Sequence, residues 1–279
     1  MWFAELTYNH CPALTTRSTN DPICMMACRG KQAILHVYGD PLVWPEPGDW
    51  QVARYPDERA LLQGILDHIN DEDPDVLTGY NLARFDLPRL VLRCKTLGLK
   101  ADFSRLVGEE VRSLDVTNVS NQAGSRSNTL NDCPGRIILD ALVITRAGMD
   151  KLRSYKLKAV AKFYELECLK DDVEYSEIYD LFHGSAEDRG RLVKYCAKDV
   201  DVTQALINKR MMVYDIVAQS QVKYLRARDV LTRGQNYSFA RAIRAEKAFR
   251  HLVADYQLDE VRRVDVASRL QLTHLIRCR

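Results

Sequence analysis

No stretch of this chain approaches the roughly 18–20 consecutive apolar residues that a membrane-spanning helix needs, so no membrane span is expected. The opening Met1-Trp2-Phe3 passes into Ala4-Glu5 without a basic start or a long apolar run, which excludes a secretory signal at that point. No CxxC pair exists either. Cys11, Cys24, Cys28, Cys94, Cys133, Cys168, Cys196 and Cys278 lie at irregular spacings, and Cys24 and Cys28 enclose three residues. The expectation is a set of reduced, buried thiols in an intracellular protein, with neither a zinc module nor a disulfide framework.

An excess of one charge is also missing. The 40 Lys and Arg nearly balance 38 Asp and Glu, and a net of +2 excludes a uniformly basic nucleic-acid binder. The balance hides an asymmetry, because residues 223–279 carry 13 Lys and Arg against 6 Asp and Glu. An acidic body with a basic end suits a nucleic-acid enzyme that uses carboxylate metal ligands, and it equally suits a solvated basic helix. There is no internal repeat and no low-complexity tract. What remains is ordinary globular composition, 46% hydrophobic over 279 residues, enough for one large domain or two modest ones.

Residues 2–7, 23–27 and 33–38 read as strands separated by turns at Asp21-Pro22, Arg29-Gly30 and Gly39-Asp40-Pro41. A proline-rich loop is expected over residues 41–50. After Asp57, the residues Leu61, Leu62, Ile65, Leu66 and Ile69 recur at helical spacing up to Asp73-Pro74-Asp75. Residues 76–81 read as a short buried strand and a loop, and a second helix follows Asp86, carries Pro88 in its first turn and ends at Gly98. Asn, Ser and Gly over residues 118–135 predict a loop, and residues 137–142 predict a strand. Helical patterns cover 156–163, 188–212 and nearly everything to Phe249. The order points to a mixed α/β domain over residues 1–212, followed by a helical segment over 213–279.

Two patterns carry chemistry. In Gly79-Tyr80-Asn81-Leu82-Ala83-Arg84-Phe85-Asp86, the aspartate follows a strand and starts a helix. In Tyr195-Cys196-Ala197-Lys198-Asp199, the tyrosine and aspartate stand four apart and share a helix face. Aspartates are hard oxygen donors suited to Mg²⁺, and a neighbouring tyrosine can orient an attacking water. Taken singly, Asp86 also reads as a helix N-cap and Asp199 as a surface residue.

Together, NxxxFD at residues 81–86 and YxxxD at residues 195–199 resemble the second and third exonuclease motifs of family B DNA polymerases. The resemblance extends through residues 73–81, 135–140, 154–160 and 231–235, is nearest to eukaryotic delta-like and large-DNA-virus members, and covers roughly residues 1–250. It implies a ribonuclease H-like fold of the DEDD type, a mixed sheet with flanking helices, followed by a C-terminal helical segment. It further implies 3′–5′ exonuclease proofreading on single-stranded DNA, with two Mg²⁺ or Mn²⁺ ions. By resemblance, Asp86 and Asp199 are metal ligands, Tyr195 is catalytic, and Asn81, Phe85, Tyr80, Arg233 and Tyr237 contact DNA. A polymerase palm, in cis or in trans, is the implied partner, and the nucleus or a viral replication site is the implied location.

One motif departs from the family. Its D-x-E on the opening strand maps onto Phe3-Ala4-Glu5-Leu6, with Ala4 in place of the Asp and Leu6 in place of the Glu. Glu5 then takes the middle position, whose side chain alternates to the other face of a strand. A shift by one residue makes Glu5 the motif glutamate and leaves Phe3 where the aspartate belongs. In two-metal hydrolysis one ion activates water and the other steadies the leaving oxygen. Asp86 and Asp199 alone under-coordinate both, so activity is expected to be weak or absent, unless Glu5 or Asp140 completes the site. No polymerase activity is expected: Tyr38-Gly39-Asp40 precedes Pro41 and reads as a turn, and no palm sequence follows. The chain is expected to be an isolated domain, a fragment or a short gene product.

Overall fold

The computed structural model describes residues 3–10, 22–40, 42–43, 48–106, 108–121, 124–148, 151–166, 173, 177–232 and 235–254. Residues 3–10, 113–121, 124–132, 235–236 and 248–254 are described as backbone only. The chain divides into two compact units, Met1–Asp215 and Ile216–Arg279.

The first unit is built on a six-stranded mixed sheet. Its strands are β1 (Phe3–His10), β2 (Ile23–Arg29), β3 (Ala33–Tyr38), β4 (Trp50–Tyr55), β5 (Val76–Gly79) and β8 (Ile137–Asp140), ordered β4-β3-β2-β1-β5-β8. β2 runs antiparallel to both β1 and β3, whereas β3–β4, β1–β5 and β5–β8 are parallel pairs. This is the mixed sheet of a ribonuclease H-like domain, with β4 added at one edge.

Strand β2 explains why the sheet is covered on both faces. All six residues from Ile23 to Cys28 are fully buried, which is what an uninterrupted apolar run in a central strand encodes. Ile23, Met26 and Cys28 belong to one core cluster, with residues of α1 (Glu58–Glu72) and α2 (Asp86–Thr96). Cys24, Met25 and Ala27 belong to a second, with α5 (Ile178–His183) and α6 (Ala186–Lys209). The described cysteines 24, 28, 94, 133 and 196 are buried, and none of them is joined in a disulfide.

The helix boundaries follow from their caps. The Asp57 side chain accepts the Ala60 N–H at 2.8 Å to open α1, and Asp73 closes it in a left-handed conformation (φ 44°) just before Pro74. Ser185 and Asp188 exchange hydrogen bonds in a capping box that starts the 24-residue α6. Gly190 sits where α6 crosses Val43, and a Cβ there would collide with the Val43 carbonyl oxygen. Two shorter helices, α3 (Ala141–Ala147) and α4 (Leu157–Phe163), complete this layer.

Three expectations require correction. The loop expected over 118–135 is instead most of an antiparallel ribbon, β6 (Arg112–Asn121) with β7 (Gly124–Asp132). A two-stranded ribbon satisfies its backbone through its own ladder and needs no apolar face, so a polar composition does not argue against it. The loop expected over 41–50 stops short of Trp50, which opens β4 on the sheet edge and is 6% exposed. Helix α5 had no counterpart in the sequence reading, although Ile178, Leu181 and Phe182 bury one face of it. Tyr38-Gly39-Asp40 is a bend after β3, with Gly39 at φ 99°, a conformation that favours glycine.

Buried polar groups between the sheet and α1 give the first unit a pH dependence. His36 lies 2.8 Å from the Tyr55 hydroxyl through Nδ1 and 3.2 Å from His68 Nδ1 through Nε2. Burial, and then the neighbouring His68, lower the His36 pKa from the ordinary 6.5 to about 3, and burial lowers His68 as well. Between those values the unfolded chain binds more protons than the folded one, so stability is full above pH 6.5 and falls as pH drops toward 3. Urea unfolding across this range should show a loss of up to about 1.4 kcal/mol per pH unit from His36. His36→Leu should flatten that slope; an unchanged slope would exclude this histidine as its source.

The second unit contains α8 (Ala227–Thr232) and α9 (Gln235–Ala254), and α7 (Met212–Lys223) runs across the boundary. Among the described residues no helix is long and apolar enough to cross a membrane.

Candidate functional site

The short, fully buried β5 ends at Gly79, and the chain then turns sharply to begin α2. Asn81 makes this possible by adopting φ 68°, a left-handed conformation that asparagine tolerates better than most residues. The Asn81 carbonyl accepts the N–H groups of Arg84 and Phe85 at 3.2 and 3.0 Å, closing the turn. Phe85 occupies the N-cap position without a side-chain cap bond, and its ring is 42% exposed. Asp86 is therefore the first residue inside the helix and not its cap. It is 4% exposed, and Pro88 follows in the first turn, where a missing N–H costs nothing.

Tyr195 and Asp199 lie one turn apart on α6, both half-buried, while Cys196, Ala197 and Val200 face the core. The Cys196 thiol reports how the two motifs stand together. Its pKa is pushed up chiefly by complete burial and next by Asp199, with Cys28 and Asp86 adding in the same direction; a hydrogen bond with the Ala27 backbone opposes them. One buried sulfur thus feels the negative charge of both aspartates, 113 residues apart in sequence.

Helix α6 is tied to the sheet two residues beyond Asp199. Arg29 Nε meets Asp201 at 2.8 Å, its Nη1 and Nη2 meet Asp49 at 2.6 and 3.0 Å, and its guanidinium lies 4.6 Å over the Trp50 ring. Burial raises the Asp201 pKa, and Arg29 and the Trp50 indole N–H oppose that rise. Sequence reasoning missed this knot, because nothing in the spacing of residues 29, 49, 50 and 201 connects them.

Strand β1 brings the degenerate motif alongside. Ala4 pairs with Leu77, and Glu5 pairs with Thr78 on one side and Arg29 on the other; Leu6 pairs with Cys28. The Glu5 side chain lies outside the described residues. So does Arg233, whereas Tyr237 lies on α9 in the second unit, 42% exposed. The hydroxyl of Tyr80 is donated to the Tyr155 carbonyl at 2.6 Å, and burial pushes its pKa up to about 12. In the basic C-terminal part, Arg226 is spent on an ion pair with Asp229 at 2.8 Å.

Asp140 is engaged by main-chain N–H groups. At the end of β8 its Oδ1 accepts the N–H groups of Asn81 and Leu142 at 3.0 and 2.9 Å, and its Oδ2 accepts that of Ala83 at 3.0 Å. The sequence offers Asp140 as a candidate further metal ligand, and nothing in the spacing of residues 81, 83 and 140 points to these main-chain contacts. Among the described residues no group of three or more His, Cys, Asp or Glu stands where it could hold a metal ion. Asp86 and Asp199 are two hard oxygen donors, and that set does not fit a two-ion centre.

A family model described as DNA polymerase family B, exonuclease domain, matches residues 15–160. The chain is 37% identical over 187 residues to the DNA polymerase delta catalytic subunit of Arabidopsis thaliana, covering 66% of this chain and 17% of that protein. It is 37% identical over 183 residues to the subunit of Caenorhabditis elegans, covering 64% and 16%, and 37% identical over 190 residues to that of Mesocricetus auratus, covering 66% and 17%. The chain thus spans about one sixth of the length of these relatives.

Proposed function

The chain belongs to the family B DNA polymerase exonuclease domains, and from that membership we propose that it holds the 3′ end of single-stranded DNA with hydrolysis weak or absent. The observation that carries this reading is the placement of Asp86, buried at the first position of α2 where β5 ends, with Tyr195 and Asp199 one turn apart on α6, which packs against β1 and β5. Phe85, exposed at the mouth of the turn, offers a ring on which a terminal base can stack. Family B exonuclease domains are generally metal-dependent, and here Ala4 and Leu6 occupy the positions of two carboxylates. By their family roles Asp86 and Asp199 would hold a cation at the terminal phosphodiester and Tyr195 would orient a water there, while Asn81 and Phe85 grip the last nucleotide. Mg²⁺ or Mn²⁺ is the cation class, and a polymerase palm, in cis or in trans, is the partner that supplies the strand. DNA replication in a nucleus or a viral replication site is the setting.

Binding and cleavage test this reading together. A labelled single strand should bind more tightly with a free 3′-hydroxyl than with a blocked 3′ end, and any shortening in Mn²⁺ should vanish in Asp86→Ala and Asp199→Ala. Equal affinity for both ends, or shortening that survives both substitutions, rejects the assignment.

A further inference from the structure

The turn that delivers Asp86 is closed by the Asn81 carbonyl and by the Leu82 carbonyl, which accepts the Leu87 N–H at 3.0 Å, and the helix it opens has no side-chain cap at Phe85. A restraint from outside the turn comes from a strand 59 residues away in sequence, through the Asn81 N–H to Asp140 Oδ1. We propose that Asp140 is the positioning residue of this site: its buried carboxylate clamps the turn at Asn81 and Ala83 and so fixes where Asp86 and Phe85 meet a 3′-terminal nucleotide. The proposal rests on the 3′-end reading above.

The two oxygens divide the work. Oδ1 caps α3 through Leu142 and, at 3.4 Å, Val143, and also accepts from Asn81; Oδ2 is given to Ala83. Capping a helix requires one oxygen, and Asn or Ser serves as well as Asp. An ionised carboxylate at 5% exposure is a costly choice for a cap alone. Burial does raise the Asp140 pKa, and the four backbone N–H groups of Asn81, Ala83, Leu142 and Val143 oppose that rise. The second oxygen is explained by the turn. Register supports the same reading, because Asp140 pairs with Gly79, placing the carboxylate directly beside the point where β5 ends.

Asp140→Asn separates the two duties. The amide keeps an oxygen for Leu142 and Val143 but sets an NH₂ against the Ala83 N–H; Asp140→Ser keeps a capping oxygen on a shorter side chain. The full 279-residue chain is assayed in EDTA with a linear and a circular single-stranded oligonucleotide of one sequence. Wild type should prefer the linear strand, and both variants should lose about tenfold of that preference with circle affinity unchanged, as for one lost hydrogen bond to a charged group. Amide exchange at Asn81 and Ala83 should accelerate about tenfold, while Leu77 and Ile138 stay protected. Variants that keep the end preference overturn the proposal, as does loss of protection spread equally over turn and sheet, since Asp140 would then serve the sheet as a whole. A wild-type chain that binds circle and linear strand alike overturns the 3′-end reading itself, before any variant is made.

Discussion

Restoring two carboxylates with Ala4→Asp and Leu6→Glu should raise release of 3′-terminal nucleotides by at least about 10–100-fold. The lower bound comes from residues that only hydrogen-bond to a metal's ligands, whose loss alone typically costs that much, and a direct ligand should matter no less. The backbone is already in place for the change: β1 runs parallel to β5, and Ala4 pairs with Leu77, two residues before the Gly79 that leads into the Asp86 turn. Asp86 and Asp199 stand on helices that both pack against β1, the strand that would carry the restored carboxylates. The assay is turnover of a 3′-labelled strand in Mn²⁺, with thermal unfolding of the same sample as the check on folding. A folded double variant without any gain would show that the missing carboxylates do not belong at positions 4 and 6. Glu5 would then become the residue to test, through Phe3→Asp.

The second large effect is on stability. Glu58→Ala should cost about 3–5 kcal/mol, the usual result of leaving one partner of a buried ion pair uncompensated. Glu58 accepts from Arg93 Nε at 2.8 Å and forms a second short contact through Arg93 Nη2, with side chains only 11% and 7% exposed. It also accepts the Ile23 N–H at 2.8 Å, at the point where β2 enters the sheet. One carboxylate thus joins α1, α2 and the first residue of the central strand, so its removal takes charge-assisted bonds from a buried guanidinium and one bond from a backbone donor. Urea denaturation of Glu58→Ala against wild type measures the loss. A cost under about 1 kcal/mol would place the pair in the class of weak surface bridges.

How far the fold was legible depends on what each residue does. Strand β2 and helix α1 were readable because apolar runs and 3–4 spacing report burial directly. Asp57, Asp73-Pro74 and Gly39 were readable because caps and turns have local chemistry. The ribbon β6–β7 was not, since its polar residues carry no burial signal and its pairing is a backbone property. The same division runs through the candidate site. Asp86 and Asp199 stood out as paired carboxylates on recognisable motifs, and the structure places them on α2 and α6, helices that both pack against β1. Asp140 stood out only as a candidate metal ligand and Arg29 not at all, because one acts on main-chain N–H groups and the other on side chains distant in sequence. Periodicity records which way a side chain faces and is silent on what it holds.

The most direct test of the whole account is the wild-type chain incubated with a 3′-labelled single strand in Mn²⁺, with bound and shortened DNA measured in one experiment. The account predicts a strand held by its 3′ end and shortened slowly or not at all. Rapid shortening, at a rate that Ala4→Asp with Leu6→Glu does not improve, would contradict it.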